Sequence, residues 1–257
     1  MSIVKYEVKD RKAIISINRP DKRNALNAEV VSELKKLLSK AEKDPEVKIV
    51  ILTGEGEAFC AGADLQYLQQ LQKNSYEENL QDSTELKELF FQIHKLSKVV
   101  IAKVNGHAIA GGCGLVSVCD FAISAASANF GYTEVRIGFI PAIVMVFLVR
   151  KLGEAKAKEL LLSGNIYHSA EAKEIGLITK VVEDNELDKA VDTFAERLIT
   201  YNSSNSMALT KQMISDVQDM KLEDALNYAA MMNAKARASE DCKKGIDAFL
   251  NKTKPEW

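Results

Sequence analysis

The sequence predicts an α/β protein: a core of parallel β-α units followed by an all-helical end. Three observations predict it. The first two-thirds alternate short β-like runs with helical stretches. Two of those runs, Val47–Thr53 and Val99–Val104, are apolar but for Lys48, Thr53 and Lys103, as strands covered on both faces are. From about Glu186 onward only helical periodicity remains. The chain of 257 residues divides accordingly into a core, 1–190, and a C-terminal helical region, 191–257.

The elements follow in order. Ile3–Val8 and Ala13–Asn18 read as paired strands, with Asp10-Arg11-Lys12 between them as a turn. Asn27 can cap a helix in which Val30, Leu34, Leu37 and Ala41 recur at helical spacing until Asp44-Pro45 stops it. Phe121–Ala125 and Leu177–Val182 are shorter strand candidates. Ile137 to Val149 is the longest apolar run, at 13 residues, and reads as a buried helix entered from Pro141. In the last third, Leu187, Val191, Phe194 and Leu198 mark one helix; Met207 to Val217, Leu222 to Lys235 and Glu240 to Asn251 mark three more. Tyr201 through Ser206 is the polar break among them. Met- and Leu-rich helices of this kind either form an assembly surface or pack onto their own core. No internal repeat is visible.

Composition excludes several classes. The chain is 47% hydrophobic and 27% charged, with a net charge of −2 and both signs interleaved. There is no basic stripe for nucleic acid or for an anionic membrane. The longest apolar run falls short of the roughly 20 residues that cross a bilayer. The N-terminus lacks the basic and apolar regions of a signal peptide, so a cytoplasmic protein is expected. Cys60, Cys113, Cys119 and Cys242 form no C-x-x-C pair and have no histidine at ligand spacing, so reduced thiols and no metal site are expected.

Two glycine-containing segments are candidates for chemistry. Glu57 through Leu65 follows a strand, turns through small residues and enters a helix near Asp64. Asn105 through Gly114 follows Val99–Val104 and also enters a helical run. Small side chains let a ligand approach the main chain, and amides at a helix start have no intrahelical acceptor. Neither segment matches the dinucleotide fingerprint or the P-loop. If the two converge, their amides make an oxyanion hole for a thioester carbonyl.

At these residues the sequence resembles the crotonase superfamily, the enoyl-CoA hydratase/isomerase family. Phe59-Cys60-Ala61-Gly62-Ala63-Asp64-Leu65 is similar to its first signature; Val104-Asn105-Gly106-His107-Ala108 through Gly111-Gly112-Cys113, then Cys119-Asp120, is similar to its second. Asn18-Arg19-Pro20, Arg23-Asn24-Ala25-Leu26, Phe130-Gly131…Glu134, Ile140-Pro141 and Gly153 through Gly176-Leu177 continue the match along nearly the whole chain. The resemblance implies a crotonase-like spiral of ββα units, closed by C-terminal helices that pack subunits into a homotrimer or a dimer of trimers. It implies oxyanion donors at the amides of Ala63 and Gly111, and coenzyme A along Arg23, Ala25, Ala61, Asp64, Leu65 and Gln66. Phe249 and Lys252 resemble residues that reach coenzyme A from a neighbouring subunit, and read equally as a solvated helix end. Coenzyme A is part of the substrate, so no separate cofactor is expected.

The acid/base groups decide the reaction. Hydratases of the family use two glutamates, and the second maps onto Glu134, whose apolar neighbours would raise its pKa toward working pH. The first would follow Cys113, where this chain has Gly114. A single carboxylate favours a Δ3,Δ2-enoyl-CoA isomerase, in which one glutamate removes a proton and returns it elsewhere. Enoyl-CoA hydration is the close alternative, and acyl-thioester decarboxylation a third use of the same hole. After Pro141, where hydratases tend to carry glycines, Ala142 to Phe147 either line an acyl pocket or pack into the core, the latter being expected. His94, His107 and His168 are scattered, and Cys60 and Cys113 carry no mark of a nucleophile. A non-catalytic binding module is disfavoured by the retained Glu134, and an RNA-binding one also by the net charge.

Overall fold

The computed structural model describes residues 2–257. Its framework is a six-stranded sheet in the order β1 (Val4–Lys9), β2 (Lys12–Ile17), β3 (Ile49–Gly54), β5 (Val99–Val104), β7 (Phe121–Ala125) and β10 (Lys180–Val182). Only β1 runs antiparallel, pairing with β2 across the predicted turn; all other neighbours are parallel. A second sheet of four three-residue strands has the order β4 (Ala58–Cys60), β6 (His107–Ile109), β8 (Asn129–Gly131) and β9 (Ile166–His168).

The two sheets are built together. β3 turns into β4, β5 into β6 and β7 into β8, and each short strand lies beside the one from the previous pass. Helices close each pass: α2 (Leu65–Leu71) and α3 (Tyr76–Lys95) after β4, α4 (Gly111–Val118) after β6, and α5 (Ala142–Ser163), broken at Gly153, after β8. The result is a spiral of ββα units, entered through α1 (Ala28–Lys43) and left through α6 (Ser169–Glu174) and β10.

Cover on both faces explains why 49–52 of β3 and 99–102 of β5 are unbroken apolar stretches. Val50, Leu52, Val100 and Ala102 point into the main core with Leu34 and Leu38 of α1 and Phe90 and Ile93 of α3. Ile49, Ile51, Val99 and Ile101 point the other way, onto Leu187, Val191 and Ala195 of α7 (Leu187–Tyr201). Asn27 caps α1, its side chain accepting from the Val30 amide at 3.0 Å. α7 therefore covers the sheet. After it, α8 (Ser204–Asp216), α9 (Leu222–Ala238) and α10 (Glu240–Leu250) have little or no burial.

Two expectations need correction. The second sheet is absent from the sequence reading because three-residue strands are too short to carry a periodicity. The run Ile137 to Val149 is not one buried helix: Ile137, Phe139 and Ile140 are exposed ahead of α5, and of Ala142–Val149 only Val144 and Leu148 are buried. Ile143 and Phe147 pack partly against the core, while Met145 and Val146 face outward.

Leu34 is fully enclosed between α1 and the sheet. Leu34→Ala removes its contacts and leaves a void, and is expected to lower unfolding free energy by about 2–5 kcal/mol in urea titration. A loss below about 1 kcal/mol would mean that the site collapses freely and that α1 is not packed as described.

Candidate active site

The short parallel strands β4, β6 and β8 end side by side, and each exit carries one of the predicted chemical segments: Ala61–Asp64, Ala110–Gly111 and Tyr132–Glu134. The first exit is held against residues 23–26. Ala61 N donates to Arg23 O (3.0 Å), Leu26 N to Gly62 O (2.7 Å) and Asp64 N to Leu26 O (2.8 Å). Leu26 and Ala63 thus form an isolated parallel bridge. In a parallel ladder, the residue whose two neighbours are bonded turns its own N–H to the opposite side. The Ala63 amide accordingly donates to no acceptor among the described residues.

The residue before Ala63, Gly62, lies against the start of α4. Gly62 has φ +88°, and a Cβ there would stand 2.8 Å from Ala110 Cβ, 2.9 Å from Ile109 O and 3.4 Å from Gly111 N. Only glycine permits both the conformation and the approach. Ala110 itself has φ +51° and ψ −123°, a strained state for a residue with a side chain. It is held by its own N–H, which donates to Gly131 O at 2.7 Å. Gly111 is the first residue of α4, so its amide has no intrahelical acceptor, and it finds none elsewhere among the described residues. Two amides without acceptors therefore stand at neighbouring strand exits, that of Gly111 at the positive end of a helix.

The third exit supplies the carboxylate. Glu134 follows β8 in a 3-10 turn, Glu134–Ile137, and is 8% exposed. Its Oε2 is buried without a hydrogen-bond partner. Burial pushes its pKa above the usual glutamate range, with its own backbone N–H partly opposing the rise. No carboxylate stands across from it at position 114. A Cβ on Gly114 would overlap Val144 Cγ1 of α5, and would lie 2.8 Å from Phe90 Cε1 of α3 and 3.1 Å from Val144 Cβ. The volume a side chain at 114 would take is already filled by hydrocarbon.

Comparison with known proteins gives the arrangement a family. A family model for enoyl-CoA hydratase/isomerase matches residues 8–257. The chain belongs to the enoyl-CoA hydratase/isomerase family. It is 35% identical over 253 residues to the crotonyl-CoA hydratase of Syntrophomonas wolfei, covering 98% of this chain and 96% of that one. To the short-chain-enoyl-CoA hydratase of Clostridium acetobutylicum it is 34% identical over 252 residues, covering 97% and 95%. The crystal structure of an enoyl-CoA hydratase from Shewanella pealeana superposes with a TM-score of 0.94 at 30% identity, covering 100% of this chain and 96% of that one. The crotonase-like spiral and the family expected from the signature residues are therefore found.

Other predicted residues of this family member fall in two groups. Ala25, Ala61 and Asp64 line the paired runs, and Leu65, 67% exposed, opens α2 at the mouth. Arg23 is exposed with φ +49°, and Gln66 accepts from Lys22 Nζ at 3.0 Å. Phe249, 83% exposed, and Lys252 lie at the end of α10, which packs on α9, and do not join these residues within the chain. Burial pushes Cys60 and Cys113 up to about 12, so both stay protonated thiols at neutral pH. His107 is exposed, His94 pairs with Ser215 at 2.9 Å, and His168 precedes α6. Among the described residues no group of three or more His, Cys, Asp or Glu is placed to hold a metal ion. The sequence reading missed the contacts of Val144 and Phe90 with Gly114; the one trace of them was the apolar residue at 144 where glycines were expected.

Gly114→Ala is expected to cost about 1–3 kcal/mol in urea unfolding, because the added methyl overpacks against Val144. Val144→Ala in the same chain should recover part of that loss, a coupling that a double-mutant cycle reads directly. Additive effects would show that the two positions do not touch.

Proposed function

We propose that the chain binds an enoyl-CoA thioester, holds its carbonyl oxygen between the Ala63 and Gly111 amides, moves a proton with Glu134, and adds water to a 2-enoyl-CoA. The observation that carries this reading is the buried, unpartnered Glu134 Oε2 at the strand exit next to the two free amides. The hydratase relatives support water addition over the other uses of such a site. Coenzyme A runs along Arg23, Ala25, Ala61, Asp64, Leu65 and Gln66, which offer mostly backbone and an exposed apolar edge.

In this mechanism Glu134 takes a proton from water as the water oxygen bonds to the β-carbon. The π electrons move onto the thioester oxygen, and the two N–H groups hold the resulting enolate. The same carboxyl then returns its proton to the α-carbon, restoring the carboxylate and the thioester. Binding the developing charge more tightly than the neutral carbonyl is what lowers the barrier.

A second reading, Δ3,Δ2-isomerisation, is favoured by one observation: hydrocarbon from Val144 and Phe90 occupies the volume above Gly114, leaving Glu134 as the one carboxylate. There Glu134 would take a proton from the α-carbon of a 3-enoyl-CoA and return it to the γ-carbon of the dienolate.

A paired assay separates the two. A 2-enoyl-CoA consumed by hydration supports the first reading; a 3-enoyl-CoA converted to its conjugated isomer without hydration supports the second. Either activity should fall about 10²–10⁴-fold in Glu134→Gln. Activity should rise with pH as Glu134 loses its proton, on a limb displaced above the ordinary glutamate value of about 4.3. That limb should be missing in Glu134→Gln, and its survival would remove Glu134 from the reaction.

We also place this chain in a homotrimer or dimer of trimers in the cytoplasm. No helix among the described residues is long and apolar enough to cross a membrane. The isolated chain exposes 14155 Å², against about 11,000 Å² for a compact monomer of its mass. Leu222, Leu226, Ile246, Phe249 and Leu250 of α9 and α10 contribute to that excess. Light scattering should give three or six times 28.4 kDa. A monomer in solution would overturn the assignment of these helices to assembly.

A further inference from the structure

The register that frees the Ala63 amide is imposed by residues 23–26, and two side chains, one buried and one half-buried, fix that run. Asn24 is 0% exposed and has φ +57°. Its Nδ2 donates to Glu55 O (2.9 Å) and Ala58 O (2.6 Å), and its Oδ1 accepts from Arg19 N (2.9 Å). Its backbone N–H donates to Arg19 O at 2.9 Å. Glu55 and Ala58 bracket the turn from β3 to β4, so one carboxamide ties the run to the strand that delivers Ala61–Asp64.

Arg19 closes the far side. Its Nη1 donates to Ala25 O at 2.6 Å and its Nη2 to Asp64 Oδ2 at 2.9 Å. The two side chains are only 16% and 11% exposed, so the pair is poorly screened. One planar guanidinium thus joins a carbonyl of one run to the residue just past Ala63 in the other. Asp64 is in turn fixed by the Gln66 and Tyr67 amides that it caps, at 3.0 and 3.4 Å.

We infer that Arg19 and Asn24 are positioning residues of the oxyanion hole: through the 23–26 run they aim the Ala63 amide at the thioester oxygen without touching the substrate. The inference rests on the reading of Ala63 as a donor. A donor's worth depends on its placement, and a misplacement near 1 Å can cost about 10²-fold in rate. The two free amides sit in separate passes of the spiral, so their spacing is set by whatever fixes each pass. Gly111 is fixed by the Ala110–Gly131 bond, Ala63 by the 23–26 run.

The test uses Asn24→Gly, which keeps the left-handed backbone but removes the carboxamide, and Arg19→Lys, which keeps the charge but cannot span both acceptors. The probe is 3-phenylpropenoyl-CoA, a conjugated thioester whose absorbance moves to the red when donors polarise its carbonyl. It is bound at saturation in a Glu134→Gln background so that it is not consumed. Each variant is expected to bind the probe with a smaller red shift. With Glu134 intact, each should lower kcat about 10–100-fold while KM moves far less. A full red shift and unchanged kcat, with only a lower Tm, would show that the two residues merely stabilise the fold and would overturn the inference. Probe bound without any red shift when Arg19 and Asn24 are intact would instead sink the donor reading of Ala63, and this inference with it. With two unrelated substitutions, misfolding of one leaves the other to decide.

Discussion

The parallel bridge between Leu26 and Ala63 is the contact on which the site depends. It consumes Gly62 O and Asp64 N on one side of the chain, and by doing so leaves the Ala63 amide on the other. A backbone donor buried without a partner is costly, commonly about 1–3 kcal/mol. The fold leaves two half-buried backbone donors without a partner, Ala63 and Gly111, at neighbouring strand exits, and a buried, unpartnered Glu134 Oε2 at the next exit. Such concentration is what a site for developing negative charge requires, since donors already in place need no reorganisation when the charge appears.

The double-sheet spiral makes that concentration geometrically cheap. Each pass crosses the large sheet, turns, and delivers a three-residue strand to the small one, so successive passes end about one strand spacing apart, close to 4.8 Å. Segments separated by dozens of residues thereby arrive as neighbours. The large sheet, covered on both faces by α1, α3 and α7, supplies the rigidity. The small sheet anchors itself in the same core through Phe59, Cys60, Ala108 and Phe130 and serves as the mount. The mount carries a strained residue: Ala110 at φ +51° and ψ −123° is tolerated because the strand ladder on one side and α4 on the other fix it.

The C-terminal helices obey a different logic. α8 is docked by polar contacts, with Lys211 on Asp120 at 2.8 Å and Lys95 on Asp216 at 2.9 Å, and α9 has no buried residue. Their apolar side chains remain uncovered in the single chain, unlike those of α7, whose Leu187, Val191 and Ala195 fill the outer face of the sheet. A boundary drawn at residue 191 from periodicity cuts through α7. Helical spacing is the same whether a helix covers its own sheet or awaits another surface.

The amino-acid sequence by itself determined the α/β class, the long strands, the capped helix after Asn27, the family, and the two glycine segments with Glu134. These are local properties: periodicity, caps, and small residues where a backbone must be approached. It left the second sheet invisible, because three residues carry no period, and it took Ile137–Val149 for a buried helix, because hydrophobicity does not say which residues a neighbour will cover. That Gly114 is walled by Val144 and Phe90, that Arg19 bonds to Asp64 and that Asn24 bonds to Glu55 and Ala58 are relations between residues up to 45 apart along the chain. Only the tertiary structure decided them, since a bond or a filled volume between distant segments exists only once the passes of the spiral lie side by side.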